Sequence, residues 1–211
     1  MKAKWNQWLP FLLMVVFALT RWPGLMPQNF SAAYGLVFCA GAFFPGRMAW
    51  WLPLGTLLVT DTTLNLYYGA AVLRWEMLGN YAAYAALIWL GRRFTAKASW
   101  PSLLGGGLVG AVLFYLVTNT CSWLHDPAYP KTLAGWIQAL TIGTPGWPHT
   151  WEFFLNTLFS GGLFAGLFAG ALKLAGAAEP AAAQEPEAED AEEGAAPAPA
   201  SDSREPQAAN P

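Results

Sequence analysis

Charged residues are scarce in this chain of 211 amino acids: aspartate, glutamate, lysine and arginine together make up 11% of it. Soluble globular domains contain about a quarter of such residues. Apolar residues account for 55% and aromatic residues for 15%. The composition therefore excludes a soluble catalytic domain with an extensive polar surface, and it predicts a chain that is largely surrounded by the lipid bilayer.

Catalytic and metal-binding patterns are also missing. Cys39 and Cys121 lack CxxC spacing, so neither a disulfide nor a zinc site is predicted. His149 and Glu152 do not form an HExxH motif. Ser160 lies eleven residues after His149, about 16 Å along a helix, which is too far for a serine–histidine pair. We expect no enzyme activity, no cofactor, no metal and no nucleic-acid partner.

The few charges are divided unevenly along the chain. Residues 179–211 hold nine of the thirteen acidic residues and one of the eleven basic residues, so this part has a net charge of −8 and residues 1–178 one of +6. The C-terminal part is mostly Ala, Pro and Glu, and cannot bury enough apolar surface to fold. The sequence predicts a helical transmembrane domain over 1–178 and a disordered, cytoplasmic acidic tail over 179–211.

Six apolar runs predict a polytopic all-α membrane bundle. The third and the sixth run have about the 20 residues that a full span needs, and flanking polar or aromatic residues complete the others. The runs cover residues 8–19, 32–44, 49–68, 77–90, 103–117 and 153–175.

Basic residues between the runs indicate an orientation. With a cytoplasmic N-terminus, seven basic residues lie on the inner side and three, Arg21, Arg74 and Lys131, on the outer side. The positive-inside rule therefore places both termini in the cytoplasm. The first run also fits a signal peptide, although no Ala-x-Ala site follows it. Its removal would leave the orientation of the other five runs unchanged.

Residues 119–151 form a long predicted outer connection. Within it, residues 132–142 are apolar over about half the length of a span, so we expect a re-entrant or interfacial segment. This segment is either a lid over an outward-facing cavity or an ordinary packed loop.

Polar residues inside and near the ends of the runs are the candidate ligand-binding groups. Asp61 lies within the third run, where a charge is costly unless it faces protein or water, and Asn65 shares its helix face. Asp61 would supply charge, and asparagines would orient the ligand. Lys131 would contact an anion or act as a gate. The alternative places Asp61 at the membrane interface. The predicted ligand-binding residues are Asp61, Asn65, Asn119, Lys131 and Asn156.

The last run carries small residues at every fourth position, in the series Gly162–Gly166–Gly170 and Gly161–Ala165–Ala169. Such a stripe allows a second helix to approach closely. The partner is either a helix of this chain, for which the glycines of the fifth run are suited, or a helix of another subunit. The second possibility gives an alternative function, a scaffold subunit of a membrane complex.

Several short segments resemble an uncharacterised bacterial inner-membrane family that is known only as a domain of unknown function. They are Gln28-Asn29-Phe30-Ser31, Leu58-Val59-Thr60-Asp61, Thr118-Asn119 with Trp123, Tyr129 to Gly135, and Asn156-Thr157-Leu158. The family pattern has an acidic residue shortly after the last segment, where this chain has Ser160-Gly161-Gly162.

In architecture, that family is similar to the substrate-binding S components of energy-coupling factor transporters. The similarity implies six helices with both termini inside, a small-molecule ligand taken from outside, and a separate membrane coupling subunit that supplies energy. From the resemblance we expect a small-molecule-binding or transport-related subunit.

Overall fold

The computed structural model describes the backbone of residues 5–184 and the side chains of residues 8–176. The described part contains seven helices and no strands, so the all-α prediction is confirmed. The helices are α1 (Trp5–Thr20), α2 (Ala33–Phe43), α3 (Met48–Tyr67), α4 (Glu76–Gly91), α5 (Trp100–His125), α6 (Leu133–Thr141) and α7 (Thr150–Gln184).

Each of the six apolar runs corresponds to one of the long helices, and short connections make neighbouring helices antiparallel. One end of the bundle contains the α1–α2 and α3–α4 connections, α6 and the start of α7; we call it the Arg21 end. The opposite end contains the α2–α3 and α4–α5 connections and is called the Arg92 end. There Arg92 donates to the carbonyl of Gly46 at 3.4 Å, and Lys173 donates to that of Ala96 at 3.0 Å.

α2 is the central helix of the bundle. All of its residues from Ala33 to Gly41 are buried, and it packs against α4, α5 and α7. A helix that is apolar on every face is stable only when it is surrounded on every face. The core around α2 includes Phe17 of α1, Leu87 of α4 and Phe164 of α7.

Small residues set the distances between the central helices. A Cβ on Gly35 of α2 would overlap the backbone of Ala165 in α7, and one on Gly107 of α5 would overlap the Ala165 side chain. A Cβ on Gly161 would lie 2.8 Å from that of Ala111. The small-residue stripe of α7 therefore packs against α2 and α5 of the same chain, and Gly107 is the fifth-run glycine that faces it, whereas Gly106 faces Phe38 and Gly110 faces Leu87.

Two boundaries differ from the prediction. α5 continues for eight residues beyond the apolar run and ends at His125, so Asn119 lies on a helix and not in the outer connection. In this part of α5 the Thr118 hydroxyl donates to the carbonyl of Phe114 at 2.9 Å. Such a bond lets a polar residue remain inside a helix. Pro127 prevents α5 from continuing further.

The second difference concerns the tail. α7 ends at Gln184, six residues into the region predicted to be disordered, because the alanines there favour a helix. The remaining predicted tail, residues 185–211, lies outside the described part of the chain.

The surface of the bundle is strongly apolar. Trp8, Leu12 and Leu19 of α1 are more than half exposed, as are Phe159 and Leu167 of α7. Two helices are long and apolar enough to cross a membrane, at residues 100–125 and 150–176. These features are compatible with a membrane location.

The packing of α2 against α7 gives a first prediction. Gly35→Ala should lower the free energy of unfolding by about 2 kcal/mol, because the added methyl group must displace backbone. In Gly55→Ala the new Cβ meets nothing within 4 Å, and the better helix former should stabilise slightly. Thermal unfolding in detergent checks both. A Gly35→Ala midpoint equal to or above that of the Gly55→Ala protein would contradict this packing.

Candidate functional site

A cavity of about 460 Å³ lies at the Arg21 end of the bundle. Its walls are the first turns of α2, α4 and α7 and the last turns of α5, and the α1–α2 connection borders it. Polar and aromatic side chains predominate in its lining. They include Arg21, Gln28, Asn29, Tyr34, Asn80, Tyr84, Phe114, Tyr115, Thr118, Asn119, Ser122, Phe153 and Thr157.

The α1–α2 connection is held in place by three polar contacts. The Thr20 hydroxyl donates to the carbonyl of Phe17 at 2.8 Å and accepts from the amide of Ala32 at 3.1 Å. Asn156 of α7 donates to the carbonyl of Gln28 at 2.9 Å. These bonds join both ends and the middle of the connection to the bundle, so that it forms a defined wall of the cavity.

An ion pair between Arg21 and Asp61 lies beside the cavity. The side chains are 19% and 13% exposed. Arg21 also donates to the Thr60 hydroxyl at 3.1 Å, and its guanidinium lies 5.8 Å from the centre of the Phe17 ring. Because Asp61 neutralises it, the arginine can remain largely desolvated at the cavity wall.

Aromatic rings form one wall of the cavity. The ring of Phe114 in α5 has its centre 4.8 Å from the ring centres of both Tyr34 and Tyr84. The rings of Tyr34 and Tyr84 are nearly parallel, with an interplanar angle of 16°. Arg21, Tyr34 and Tyr84 all belong to the lining of the cavity. The wall therefore combines ring surfaces with polar groups next to the arginine.

Tyr81 belongs to the same polar group, although it does not line the cavity. Its hydroxyl oxygen lies near Asp61 and is buried without a hydrogen-bond partner among the described residues. Asp61 therefore accepts from Arg21 of the α1–α2 connection, and Tyr81 of α4 lies beside it.

The structure brings together part of the predicted site. Asn119 lines the cavity and donates to the carbonyl of Tyr115 at 2.8 Å, which leaves its amide oxygen available as an acceptor. Asp61 binds the arginine at the wall and does not itself line the cavity. Asn156 anchors the border through Gln28.

The other two predicted residues lie elsewhere. Asn65 donates to the carbonyl of Val72 at 3.1 Å and closes the α3–α4 connection. Lys131 donates to the carbonyls of Trp123, Asp126 and Tyr129, at 2.6 Å in the case of Asp126. It therefore caps the end of α5, where a positive charge is favourable.

α6 contributes no residue to the lining of the cavity. It packs against α5 and α7, with Trp136 donating to the Thr120 hydroxyl at 2.9 Å and Tyr115 to the carbonyl of Leu140. Its N-terminus is capped by Thr132, which accepts from the amide of Gly135 at 3.2 Å. The α1–α2 connection, and not the 132–142 segment, borders the cavity.

Sequence reasoning missed Arg21, Tyr34, Asn80 and Tyr84 as cavity residues. Arg21 was interpreted only as an outer loop charge. One signal was available, because a single arginine follows the first run and a single aspartate lies inside the third. A charge within the membrane is costly and is usually paired with a charge of the opposite sign. Tyrosines within apolar runs carry no comparable signal, since packing explains them equally well.

The fold and this site define the class: an all-α bundle with a polar and aromatic cavity at one end. The chain belongs to a family of unknown function, DUF6580, which it matches over residues 1–183. The expectation of an uncharacterised family is thereby confirmed. Neither a curated protein nor a solved structure matches the chain.

The ion pair gives a second prediction. Asp61→Ala should lower the free energy of unfolding by about 3 kcal/mol, because it leaves a largely buried guanidinium unpaired. The control is Glu76→Ala, which removes the exposed Arg74–Glu76 pair, 48% and 55% exposed, and should cost less than about 1 kcal/mol. Thermal unfolding at neutral pH compares them. Equal losses in both variants would contradict the structural importance of the Arg21–Asp61 pair.

Proposed function

We propose that this chain is a multi-pass membrane protein that binds a small organic molecule in the cavity at the Arg21 end, as a transport-related subunit. The observation that carries the proposal is the cavity itself. Its volume of about 460 Å³ falls within the range of about 300–1,000 Å³ typical of small-molecule sites, which combine apolar walls with a few placed polar groups.

The outward-facing surfaces of the helices support a membrane location. Val109 and Val112 on α5 and Leu155, Phe159 and Leu163 on α7 are exposed. Monomeric soluble proteins rarely expose apolar patches of more than a few hundred Å². α2, with 11 residues, is shorter than a span, but its neighbours bury it from Ala33 to Gly41, so it need not match the thickness of the bilayer.

Charge supports an orientation with the cavity facing outward. The Arg92 end carries Arg47, Arg92, Arg93, Lys97 and Lys173, and no acidic residue among those whose side chains are described, residues 8–176. All four acidic residues of the domain lie towards the Arg21 end. The positive-inside rule then places the Arg92 end in the cytoplasm, with six passes and both ends of the domain on that side.

The transport-related role is supported by the resemblance to S components, which bind their ligands from outside. A separate membrane coupling subunit would then supply the energy. The scaffold alternative has less support, because the stripe on α7 that motivated it is covered by α2 and α5.

Filling the cavity gives a third prediction. Ser122→Phe places a ring where α5 lines the cavity and should weaken binding at least about tenfold, equal to about 1.4 kcal/mol. Leu116→Phe is the control, because that side chain is 40% exposed and does not line the cavity. Native mass spectrometry of gently extracted protein measures the retained small molecule.

Two outcomes would contradict the proposal. If the Ser122→Phe and Leu116→Phe proteins retain the same molecule to the same extent as the wild type, the cavity is not the binding site. If the wild type retains nothing and no compound of a broad panel raises its thermal midpoint, the binding function itself is wrong.

A further inference from the structure

The cavity lining contains one charged side chain, that of Arg21. None of the acidic residues whose side chains are described, Asp61, Glu76, Asp126 and Glu152, is part of the lining. Asp61 neutralises the arginine from the side of α3. A molecule in the cavity therefore meets a cation directly and the compensating anion only behind it, an arrangement that favours an anion over a cation.

Arg21 retains hydrogen-bonding capacity towards the cavity. A guanidinium has five N–H donors in a planar fork. Two bonds are formed, one to Thr60 and one to Asp61, so three donors remain. A planar carboxylate matches such a fork. Because Asp61 already neutralises the arginine, a singly charged carboxylate also adds less uncompensated charge than a doubly charged phosphate.

Tyr84 adds a second donor near the arginine. Its side chain is 6% exposed, and what remains exposed lies at the cavity, which it lines. Its hydroxyl forms no hydrogen bond to any described side chain or carbonyl group, and Tyr84 lines the same cavity as Arg21. Asn80, also in the lining, makes no side-chain bond within the described part of the chain. Donors in a cavity wall that have no protein partner are available to a ligand that accepts from them.

The aromatic residues of the lining indicate the chemistry of the uncharged part of the ligand. Tyr34, Tyr84 and Phe114 meet in one wall, with ring centres 4.8 Å apart in two of the pairs. Aromatic walls favour planar unsaturated rings, which pack against them in offset or edge-to-face geometry.

We propose, on the basis of the binding function proposed above, that the ligand is a small organic acid in which a planar unsaturated ring carries a carboxylate. The carboxylate accepts from Arg21 and Tyr84. The ring lies against Tyr34 and Phe114. Asn80 donates to a further oxygen or nitrogen acceptor on the ring.

The test uses matched probes that differ only in the polar group: indole-3-acetate, indole-3-acetamide and tryptamine, with the corresponding naphthalene set. Binding to the full-length protein in detergent is measured by thermal shift and by calorimetry. We expect each carboxylate to bind at least about tenfold more tightly than its amide, because a charge-assisted hydrogen bond is lost. The amines should bind more weakly still.

Two variants assign the preference to the site. Tyr84→Phe keeps the ring and removes the hydroxyl, so it should weaken carboxylate binding about tenfold and leave amide binding within about twofold. Tyr67→Phe is the matched control, because Tyr67 is 64% exposed and is not part of the lining. The Tyr67→Phe substitution should change neither carboxylate binding nor amide binding.

The outcomes separate this inference from the binding function. If amides or amines bind as tightly as the carboxylates, or if Tyr84→Phe weakens both classes equally, the assignment to a carboxylate is overturned while binding in the cavity stands. If no probe binds to the folded wild type, and molecules retained from the cell lack an acidic group, the assignment is likewise overturned. If no retained molecule or panel compound is found at all, the proposed function fails first.

Discussion

The ion pair between Arg21 and Asp61 is the constraint on which the cavity depends. α1 and α3 lie at the edge of the bundle and pack along fewer residues than α2, α4, α5 and α7. At the Arg21 end they are joined by the bonds from Arg21 to Thr60 and Asp61. Burying a charge is costly unless it is paired, so these two residues hold each other in place. The same pairing positions a guanidinium at the cavity wall.

The size of the residues along the helices explains why the cavity is at one end. Towards the Arg92 end several close contacts between helices are made by glycine and alanine, as between Gly107 and Ala165 and between Gly41 and Gly91. Helices can approach closely there and leave no space. Towards the Arg21 end the facing residues are Tyr34, Tyr84 and Phe114, which keep the helices apart. The α1–α2 connection then encloses the space between them.

Much of the fold could be predicted from the sequence, because apolar runs and helices coincide when nearly every residue of a helix is apolar. An internal partner for the α7 stripe on α5 was also predictable, although Gly107 is the glycine of α5 that meets the stripe, and Leu108 and Trp100 cover its other positions. The last two turns of α5 were not: their polar residues resemble a loop, and the bonds that hold them in a helix, such as Thr118 to Phe114, are visible only in three dimensions.

The candidate site was predictable only in part, for a similar reason. Polarity at the ends of runs identified Asn119, but it also selected Asn65 and Lys131, whose bonds are to neighbouring backbone carbonyls. Local bonds of this kind satisfy a polar side chain without any ligand. Arg21, Tyr34 and Tyr84 meet because α1, α2 and α4 converge, and no spacing within a single helix encodes that convergence.

The central claim, a cavity that faces outward from a membrane bundle, is tested most directly by labelling with a membrane-impermeant maleimide. In a Cys121→Ser background, Ser122→Cys places a thiol at the cavity, and Thr95→Cys places one in the α4–α5 connection. Cys39 is fully buried. Added to sealed spheroplasts, the reagent should label the Ser122→Cys protein at once and the Thr95→Cys protein only after permeabilisation. The reverse order, or recovery of the protein in the soluble fraction, would contradict the account.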